Sequence, residues 1–277
     1  MNKNKVNLSD VSKVYKRGGE YEIILRNCSF EIKPEKLTVL LGPSGCGKST
    51  IINLIAGYEN PTMGEVSIGE DRITGPGPDR AVVFQETALF PWMTLKDNII
   101  FGPLQQGVAR VDADKKAEEL LSRVGLVGFG DKYPDQVSGG MQRRAEVARA
   151  FINDPKVMLL DEPFRGLDHM TRGLMQEYYS ALFEEMHMTT LFVTSEVDEA
   201  IFLADEIVVL SYKPTTVKAI IEVDLPRPRD FTMLTSPRYG ELKNKIIGLL
   251  YEEALKGFSA GVSESSEMKD LIEVSLS

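Results

Sequence analysis

Hydrophobic residues occur along this chain in short runs that alternate with longer amphipathic stretches. The run LTVLL at 37–41 is wholly apolar or β-branched and predicts a buried strand. STIINLIAGYE at 49–59 has apolar residues at helical spacing and predicts a helix that stops near Gly57. From residue 138 onward, amphipathic segments separate three further apolar runs, VMLL, TLFVT and EIVVL. This alternation predicts a mostly parallel sheet with helices on both faces.

Three regions depart from that alternation. Near the N-terminus, the β-rich runs VNLSDVSKVY and ILRNCSFEIK are separated by a glycine-containing loop, which predicts a small separate sheet. Between about 95 and 136 the chain contains the charged, amphipathic stretch DADKKAEELLSRVGL, which predicts a helical insertion. After about Lys256 the chain is rich in Ser and Glu, which is typical of a loose tail with at most one short helix.

Composition and charge exclude several classes of function. The chain has 277 residues, of which 43% are hydrophobic, enough for one large α/β domain or two modest ones. A net charge of -9 argues against nucleic acid as the main partner. Two cysteines favour a reducing compartment. The start of the chain lacks a signal-peptide pattern and no apolar run reaches about 18 residues, so we expect any membrane association to go through a partner protein.

A glycine-rich loop directly follows the strand at 37–41. GPSGCGKS fits the phosphate-loop pattern G-x-x-x-x-G-K-[ST] at every fixed position. In such a loop the glycines turn backbone N–H groups toward phosphate oxygens, Lys48 adds positive charge, and Ser49 offers a hydroxyl to Mg²⁺. The strand before and the helix after favour a nucleotide site over an incidental glycine turn. The predicted contact residues are Gly42, Pro43, Ser44, Gly45, Cys46, Gly47, Lys48, Ser49 and Thr50.

Two adjacent carboxylates end the strand of VMLLDE at 157–162. At the end of a buried strand, Asp161 is placed to hold magnesium through water and Glu162 to polarise the attacking water. An apolar run that ends in Asp-Glu is, by itself, equally typical of an ordinary strand end. The phosphate loop earlier in the chain favours the catalytic interpretation.

Ser138-Gly139-Gly140-Met141, followed by QRRAEVARAF, resembles the signature motif of ABC ATPases. The segment lies between the phosphate loop and the carboxylates, as it does in that family. The resemblance implies that Ser138, Gly139 and Gly140 sit at a helix N-terminus and bind the γ-phosphate of ATP held by a second subunit. The alternative is an ordinary serine N-cap.

Smaller matches extend this likeness from Val6 to about Pro228. Gln85, in VVFQE, resembles the glutamine loop that touches magnesium and senses the membrane subunit. Asp168, in RGLDHMTR, resembles the loop that crosses the dimer interface. Tyr15 lies where the family often stacks an aromatic ring on adenine; packing against the β subdomain is an equal alternative. ETALFPWMTLKDNI and IEVDLPRPRD resemble importers of the nitrate, sulfonate and taurine group.

One position departs from the family pattern in a way that bears on catalysis. The family's switch histidine lies in a segment resembling V-T-H-D-x-x-E-A, whereas this chain reads VTSEVDEA, with Ser195 at the histidine position. A serine hydroxyl can donate a hydrogen bond to phosphate, but it is shorter and carries no positive charge. We therefore expect ATP binding to be retained and hydrolysis to be slow.

Other reactive side chains have plainer interpretations. Cys46 lies near a helix N-terminus and a lysine, which could favour a redox-active thiolate. We expect instead a small residue whose side chain points away from phosphate. His169 and His187, the chain's two histidines, are expected to be solvated rather than catalytic.

These patterns, together with the resemblance, predict an α/β fold of the P-loop NTPase class and ABC type. The predicted ATP-binding domain covers residues 5–235. It carries an N-terminal antiparallel β subdomain and an inserted helical subdomain at about 95–138. A partly disordered C-terminal extension is predicted for 236–277.

The resemblance implies an ATP-binding and ATP-hydrolysing subunit that uses ATP and Mg²⁺ to energise solute import. The implied partners are a second ATP-binding subunit, as a homodimer, transmembrane permease subunits and, indirectly, a solute-binding protein, at the cytoplasmic face of the membrane. An alternative is an ATP-binding but hydrolysis-impaired subunit of an asymmetric dimer. A soluble ABC ATPase acting on DNA or ribosomes is a third reading, but such chains usually join two cassettes or carry long coiled coils.

Overall fold

Two β-sheets organise residues 4–275, the part of the chain that the computed structural model describes, with side chains described for 4–16 and 18–257. The strands are β1 (Val6–Arg17), β2 (Glu20–Ile32), β3 (Leu37–Leu41), β4 (Met63–Ile68), β5 (Asp71–Arg72), β6 (Arg80–Val83), β7 (Val157–Asp161), β8 (Thr189–Thr194), β9 (Glu206–Leu210) and β10 (Val217–Glu222). The helices are α1 (Lys48–Ala56), α2 (Leu95–Gln105), α3 (Arg110–Arg123), α4 (Gly139–Phe151), α5 (His169–Met186), α6 (Val197–Leu203) and α7 (Pro237–Ser275).

The smaller sheet is antiparallel and has the strand order β2-β1-β4-β5. It forms from the N-terminal β-rich runs, because the glycine-containing loop between β1 and β2 lets the chain reverse. The register between β1 and β2 shifts at several points, and Asp10 (φ 49) and Asn27 (φ 47) adopt left-handed backbone there. The predicted N-terminal antiparallel subdomain is confirmed.

The larger sheet has the order β10-β9-β3-β8-β7-β6, and all its pairs except β10 with β9 are parallel. Successive residues of its central strands enter two different apolar clusters. Val39 and Leu160 belong to one cluster, whereas Leu40 and Leu159 belong to the other. Since side chains alternate across a strand, this division shows that both faces of the sheet are covered. The predicted α/β class is confirmed.

Two helices, α2 and α3, occupy the stretch for which a helical insertion is predicted. Thr94 caps α2 by accepting a hydrogen bond from the backbone N–H of Asp97. The fully buried Asn98 donates to the carbonyls of Phe90, Met93 and Thr94 and so fixes the entry to this helix. Helix α2 packs against both α3 and α4.

Helix α7 joins the C-terminal extension to the rest of the fold. Tyr239 donates a 2.6 Å hydrogen bond to Asp198 of α6, and Lys243 makes a 2.7 Å ion pair with the same carboxylate. The helix is longer than the single short helix expected for the tail. Partial disorder of the extension stays a prediction, because the side chains after Gly257 lie outside the described residues. Across the described helices, none is both long and apolar enough to span a bilayer.

Candidate functional site

Three loops that follow neighbouring parallel strands build the site. The glycine-rich loop follows β3, Glu162 follows β7, and Ser195 follows β8. The register pairs Leu41 with Thr194 and Asp161 with Val193, so these three strands end at the same level. Ligand sites of open α/β sheets lie at this carboxyl edge.

The backbone of the glycine-rich loop is shaped for an anion. Gly45 and Gly47 have φ values of 77° and 94°, a region that residues with a Cβ rarely adopt. A Cβ at Gly47 would also lie 2.7 Å from Cγ2 of Ile24, so the position has no room for a side chain. Gly47 offers no side-chain cap to α1. The first residues of the helix, Lys48, Ser49 and Thr50, line the cleft, so the helix N-terminus can offer uncapped N–H groups to phosphate oxygens.

The Lys48 side chain folds back over this loop. Its Nζ donates to the carbonyl oxygens of Gly42 at 2.8 Å and Pro43 at 3.1 Å. It also lies 3.6 Å from Oε1 of Glu162, and both side chains are buried. A short movement of the ammonium group would therefore replace its two carbonyl acceptors with phosphate oxygens.

Glu162 is held by its backbone and by two cations. The residue adopts a left-handed conformation (φ 43), which is uncommon for a residue with a Cβ and is found at functional sites. Its N–H donates to the Val193 carbonyl at 2.9 Å, which ties β7 to β8 at this point. Opposite Lys48, Nη1 of Arg165 makes a 2.8 Å ion pair with Oε2. The carboxylate is therefore oriented before any nucleotide binds.

Asp161, Ser49 and Gln85 are the residues that could hold Mg²⁺. The pKa of Asp161 is raised, because the effect of burial outweighs that of a side-chain hydrogen bond with Ser49. Ser49 and Gln85 line the open cleft beside the glycine-rich loop, and Asp161 is joined to them by its hydrogen bond with Ser49. No cluster of three or more His, Cys, Asp or Glu side chains suited to a metal occurs among the described residues. The donor set nevertheless fits Mg²⁺, because in nucleotide sites this ion is bound through one or two protein oxygens, phosphates and water.

An open cleft of about 590 Å³ contains most of the predicted contact residues. Those that line it are Tyr15, Ser44, Gly45, Gly47, Lys48, Ser49, Thr50, Gln85 and Glu162. Five further lining residues were not predicted, namely Glu22, Ile24, Glu59, Arg165 and Lys213. Gly42 and Pro43 contribute through the carbonyls that hold Lys48. The volume and the rows of N–H donors suit a nucleoside triphosphate.

The position of the Tyr15 side chain is compatible with both alternatives that the sequence left open. Its ring packs against the apolar cluster of the antiparallel sheet, and it also lines the cleft. Its hydroxyl donates to Oε2 of Glu59 at 2.6 Å, and the ammonium of Lys13 lies 5.0 Å from the ring centroid. Stacking on adenine stays a prediction.

The side chain of Cys46 points away from the cleft, as expected. It is fully buried, and its carbonyl accepts a hydrogen bond from the Thr215 hydroxyl. Burial raises the pKa of the Cys46 thiol and raises that of Cys28 to about 11. Both cysteines are free thiols. The geometry gives Cys46 a packing role within the loop.

We expect neither cysteine to react with a thiol reagent in the native protein at neutral pH. A raised pKa reduces the thiolate fraction at pH 7, and burial blocks access to what remains. Titration with Ellman's reagent should label both thiols only after denaturation. A thiol that reacts promptly in the native protein and is protected by ATP would instead place Cys46 on the nucleotide surface.

The signature segment and Asp168 lie apart from this cleft. Ser138 caps α4 by accepting from the Met141 N–H at 3.3 Å, and Asp168 caps α5 by accepting from the Thr171 N–H at 3.0 Å. Hydrogen bonds from Thr171 hold the pKa of Asp168 below its usual value. Ser138, Gly139 and Asp168 are exposed, and Gly140 is half-buried. None of them is among the described residues that line the chain's own cleft. Binding of the γ-phosphate of ATP held by a second subunit stays a prediction for these residues.

Ser195 borders a smaller cleft of about 150 Å³ that it shares with Glu162 and Arg165. The structure thus places Ser195 in the same cleft as Glu162, at the position of the family's switch histidine. Glu196 lies in the same cleft, 4.0 Å from Arg172. Both histidines are exposed, as predicted.

Comparison with known proteins places this site in context. A family model described as "ABC transporter" matches residues 25–165, half of the chain. The chain is 40% identical over 252 residues to an uncharacterized ABC transporter ATP-binding protein of Methanocaldococcus jannaschii, covering 91% of this chain and 93% of that one.

Two relatives from Synechococcus elongatus have more specific names. The chain is 42% identical to the nitrate import ATP-binding protein NrtC and 44% identical to the bicarbonate transport ATP-binding protein CmpC. Each match covers 85% of this chain and 36% of the relative. The predicted likeness to the nitrate, sulfonate and taurine importer group is confirmed.

Solved structures of an ATP-binding cassette, MJ0796, share the fold. One is a dimeric post-hydrolysis state bound to ADP and Pi, 30% identical to this chain with a TM-score of 0.69. A second dimeric structure of that cassette gives a TM-score of 0.70 at 29% identity. Both matches cover 80% of this chain and 100% of the cassette.

Proposed function

This chain belongs to the ABC transporter family as an ATP-binding subunit, and we propose that it hydrolyses ATP to drive import of a solute through a membrane permease. The observation that carries the proposal is that the phosphate loop after β3 and the Asp161–Glu162 pair at the end of β7 meet at the same edge of the sheet, one strand apart, and that Glu162 lines the cleft of the loop. Relatives named for nitrate import and bicarbonate transport support a small inorganic anion as the solute.

Different site residues bind the phosphates, bind Mg²⁺ and activate the water. The N-terminus of α1 and Lys48 hold the β- and γ-phosphates, and Ser49, Asp161 and Gln85 hold Mg²⁺. When bound, the ion neutralises charge on the phosphate oxygens. Glu162 orients and polarises the attacking water, and its fixed backbone keeps the carboxylate in place. Tyr15 receives the adenine ring.

A second copy of this chain completes the site. The exposed Ser138, Gly139 and Gly140 would meet the γ-phosphate of the partner's ATP, with Asp168 crossing the interface. The dimeric state of the cassette structures supports this arrangement. Beside Gln85, a groove of about 280 Å³ that includes Phe84, Phe90 and Phe101 offers an apolar surface to the permease. The complex would lie at the cytoplasmic face of the membrane and take solute from a binding protein.

A steady-state ATPase assay tests the proposal, with the purified protein alone and assembled with its permease. Magnesium-dependent turnover that rises on assembly is the expected result. ATP binding without turnover in either state would favour the second candidate, a hydrolysis-impaired subunit of an asymmetric dimer. Ser195 is the observation that favours that candidate.

We expect the substitution Ser195→His to raise kcat by about tenfold while the dissociation constant for ATP changes by less than about twofold. Loss of one charge-stabilising donor at a site of this kind commonly costs on the order of 10²–10³ in rate, and the gain lies in the transition state. Turnover of the two proteins should be compared alone and in the assembled transporter. Ser195→Ala is the matched control and should not exceed the parent. Equal turnover of Ser195→His and the parent would show that Ser195 does not limit hydrolysis.

A further inference from the structure

We propose that Arg165 is a positioning residue for hydrolysis, whose guanidinium holds the Glu162 carboxylate and brings to it the permanent positive charge that Ser195 lacks. The inference rests on the proposed ATPase function. It adds a role for a residue that lies outside the phosphate loop, the signature segment and the magnesium ligands.

The first ground is the position of Arg165 between two clefts. Among the residues whose side chains the structure describes, Arg165 and Glu162 line both the nucleotide cleft and the smaller cleft of Ser195. The arginine therefore lies between the nucleotide cleft and the segment that contains Ser195. Arg165 thus brings a positive charge into the cleft that a histidine at position 195 would also border.

The second ground is a rigid turn that aims the arginine at the carboxylate. The Arg165 N–H donates to the Glu162 carbonyl at 3.1 Å, and Gly166 continues the turn with φ 81. Phe164 is 1% exposed and packs against Phe192, with ring centroids 5.5 Å apart. Because the core anchors the residue between them, the turn places the Arg165 and Glu162 side chains close together, and their charged groups meet at 2.8 Å.

The third ground is the charge balance around Glu162. Within the described part of the chain, the ion-pair partners of this buried carboxylate are Lys48 and Arg165. When ATP binds, Lys48 is expected to leave Glu162 and contact the β- and γ-phosphates. Arg165 is then the cation that remains on a carboxylate whose burial requires compensation. With neutral Ser195 on the other side, orientation of Glu162 depends on the arginine.

A surface ion pair with no role in turnover is the alternative, since the Arg165 side chain is 59% exposed and such pairs contribute little to stability. The chain contains a matched control. Arg238 and Glu241 form an ion pair with the same i,i+3 spacing and the same 2.8 Å distance, outside both clefts. Removing Arg238 should leave kcat unchanged, as should removing Arg165 if its pair is only structural.

The experiment measures kcat and KM for ATP in the parent, Arg165→Ala, Arg165→Lys and Arg238→Ala, each in the assembled transporter. We expect Arg165→Ala to lower kcat about tenfold with KM within about twofold, because the lost contact is made to Glu162 and leaves the phosphate loop and Lys48 unchanged. Arg165→Lys should recover at least a third of the parent kcat. The thermal midpoint of each variant should stay within about 3 °C of the parent. If Arg165→Ala does not fold, Arg165→Gln takes its place with the same expectation.

A double-mutant cycle with Ser195→His separates charge supply from a structural effect. If Arg165 provides the charge missing at Ser195, Arg165→Ala should cost less than about threefold in the Ser195→His background, against about tenfold in the parent. Equal losses in both backgrounds would overturn the inference. So would an active parent with an equally active Arg165→Ala variant. A parent without ATPase activity in the assembled transporter would overturn the proposed function as well.

Discussion

Replacing Glu162 with glutamine is expected to lower ATP hydrolysis by about 10²–10⁴-fold while ATP still binds. Glutamine keeps the shape and one carbonyl oxygen for the Arg165 guanidinium, which lies 2.8 Å away, but it cannot accept a proton from the attacking water. The substitution also removes a negative charge 3.6 Å from Lys48, which leaves that lysine more available to phosphate. The ATP-bound dimer should then accumulate, and size-exclusion chromatography with ATP should show the larger species.

Glu196→Gln is the matched control for this experiment. Glu196 is an exposed carboxylate in the same small cleft as Ser195, and its loss should change turnover by less than about threefold. A Glu162→Gln variant that hydrolyses ATP at the parent rate would remove Glu162 from the mechanism. If turnover fell instead with Glu196→Gln, the base would have to be reassigned to that residue.

The central part of the fold could be predicted because local sequence decides it. The five residues of β3 are all buried, so this run of apolar and β-branched residues marks a strand that is covered on both faces. The loop after it needs left-handed backbone at Gly45 and Gly47, and only glycine supplies this without strain. Asp161 and Glu162 follow from the same reasoning, since parallel strands that share a sheet end at the same edge.

Long-range contacts explain what the sequence could not reveal. Glu22 and Lys213 line the nucleotide cleft and pair with each other at 2.7 Å, although they are 191 residues apart. No local pattern joins two such positions. Arg165 is different, because it lies three residues after Glu162 and a turn brings it back. The i,i+3 spacing beside a catalytic carboxylate could have identified it.

Contacts between two subunits, such as those predicted for the signature segment, are also beyond what one sequence can reveal. Ser138 has all the features of an ordinary N-cap within one chain, since its hydroxyl accepts from the Met141 N–H. Its exposure and its absence from the described lining of the chain's own cleft agree with the predicted role across a dimer. A single chain shows only half of each composite site, so the role of Ser138 stays a prediction.

Replacing Lys48 with alanine is expected to weaken ATP binding by at least tenfold. The ammonium group is buried and is held by the Gly42 and Pro43 carbonyls at 2.8 and 3.1 Å, so little reorganisation is needed before it meets phosphate. A charge-assisted contact in such a site is worth about 1.5–3 kcal/mol, which corresponds to a loss of about 10–150-fold. Titration with a fluorescent ATP analogue measures this directly.

Lys213→Ala is the control that distinguishes the role of Lys48 from general positive charge in the cleft. Lys213 lines the same cleft, but its side chain is 35% exposed and already paired with Glu22. Loss of a solvent-exposed pair is worth up to about 1 kcal/mol, so ATP affinity should fall by less than about fivefold. Since Lys48 also neutralises buried Glu162, the thermal midpoint of Lys48→Ala must be measured to exclude unfolding. A folded Lys48→Ala protein with unchanged affinity would mean that the glycine-rich loop is not the nucleotide site, and the α1 N-terminus would then lose its proposed role.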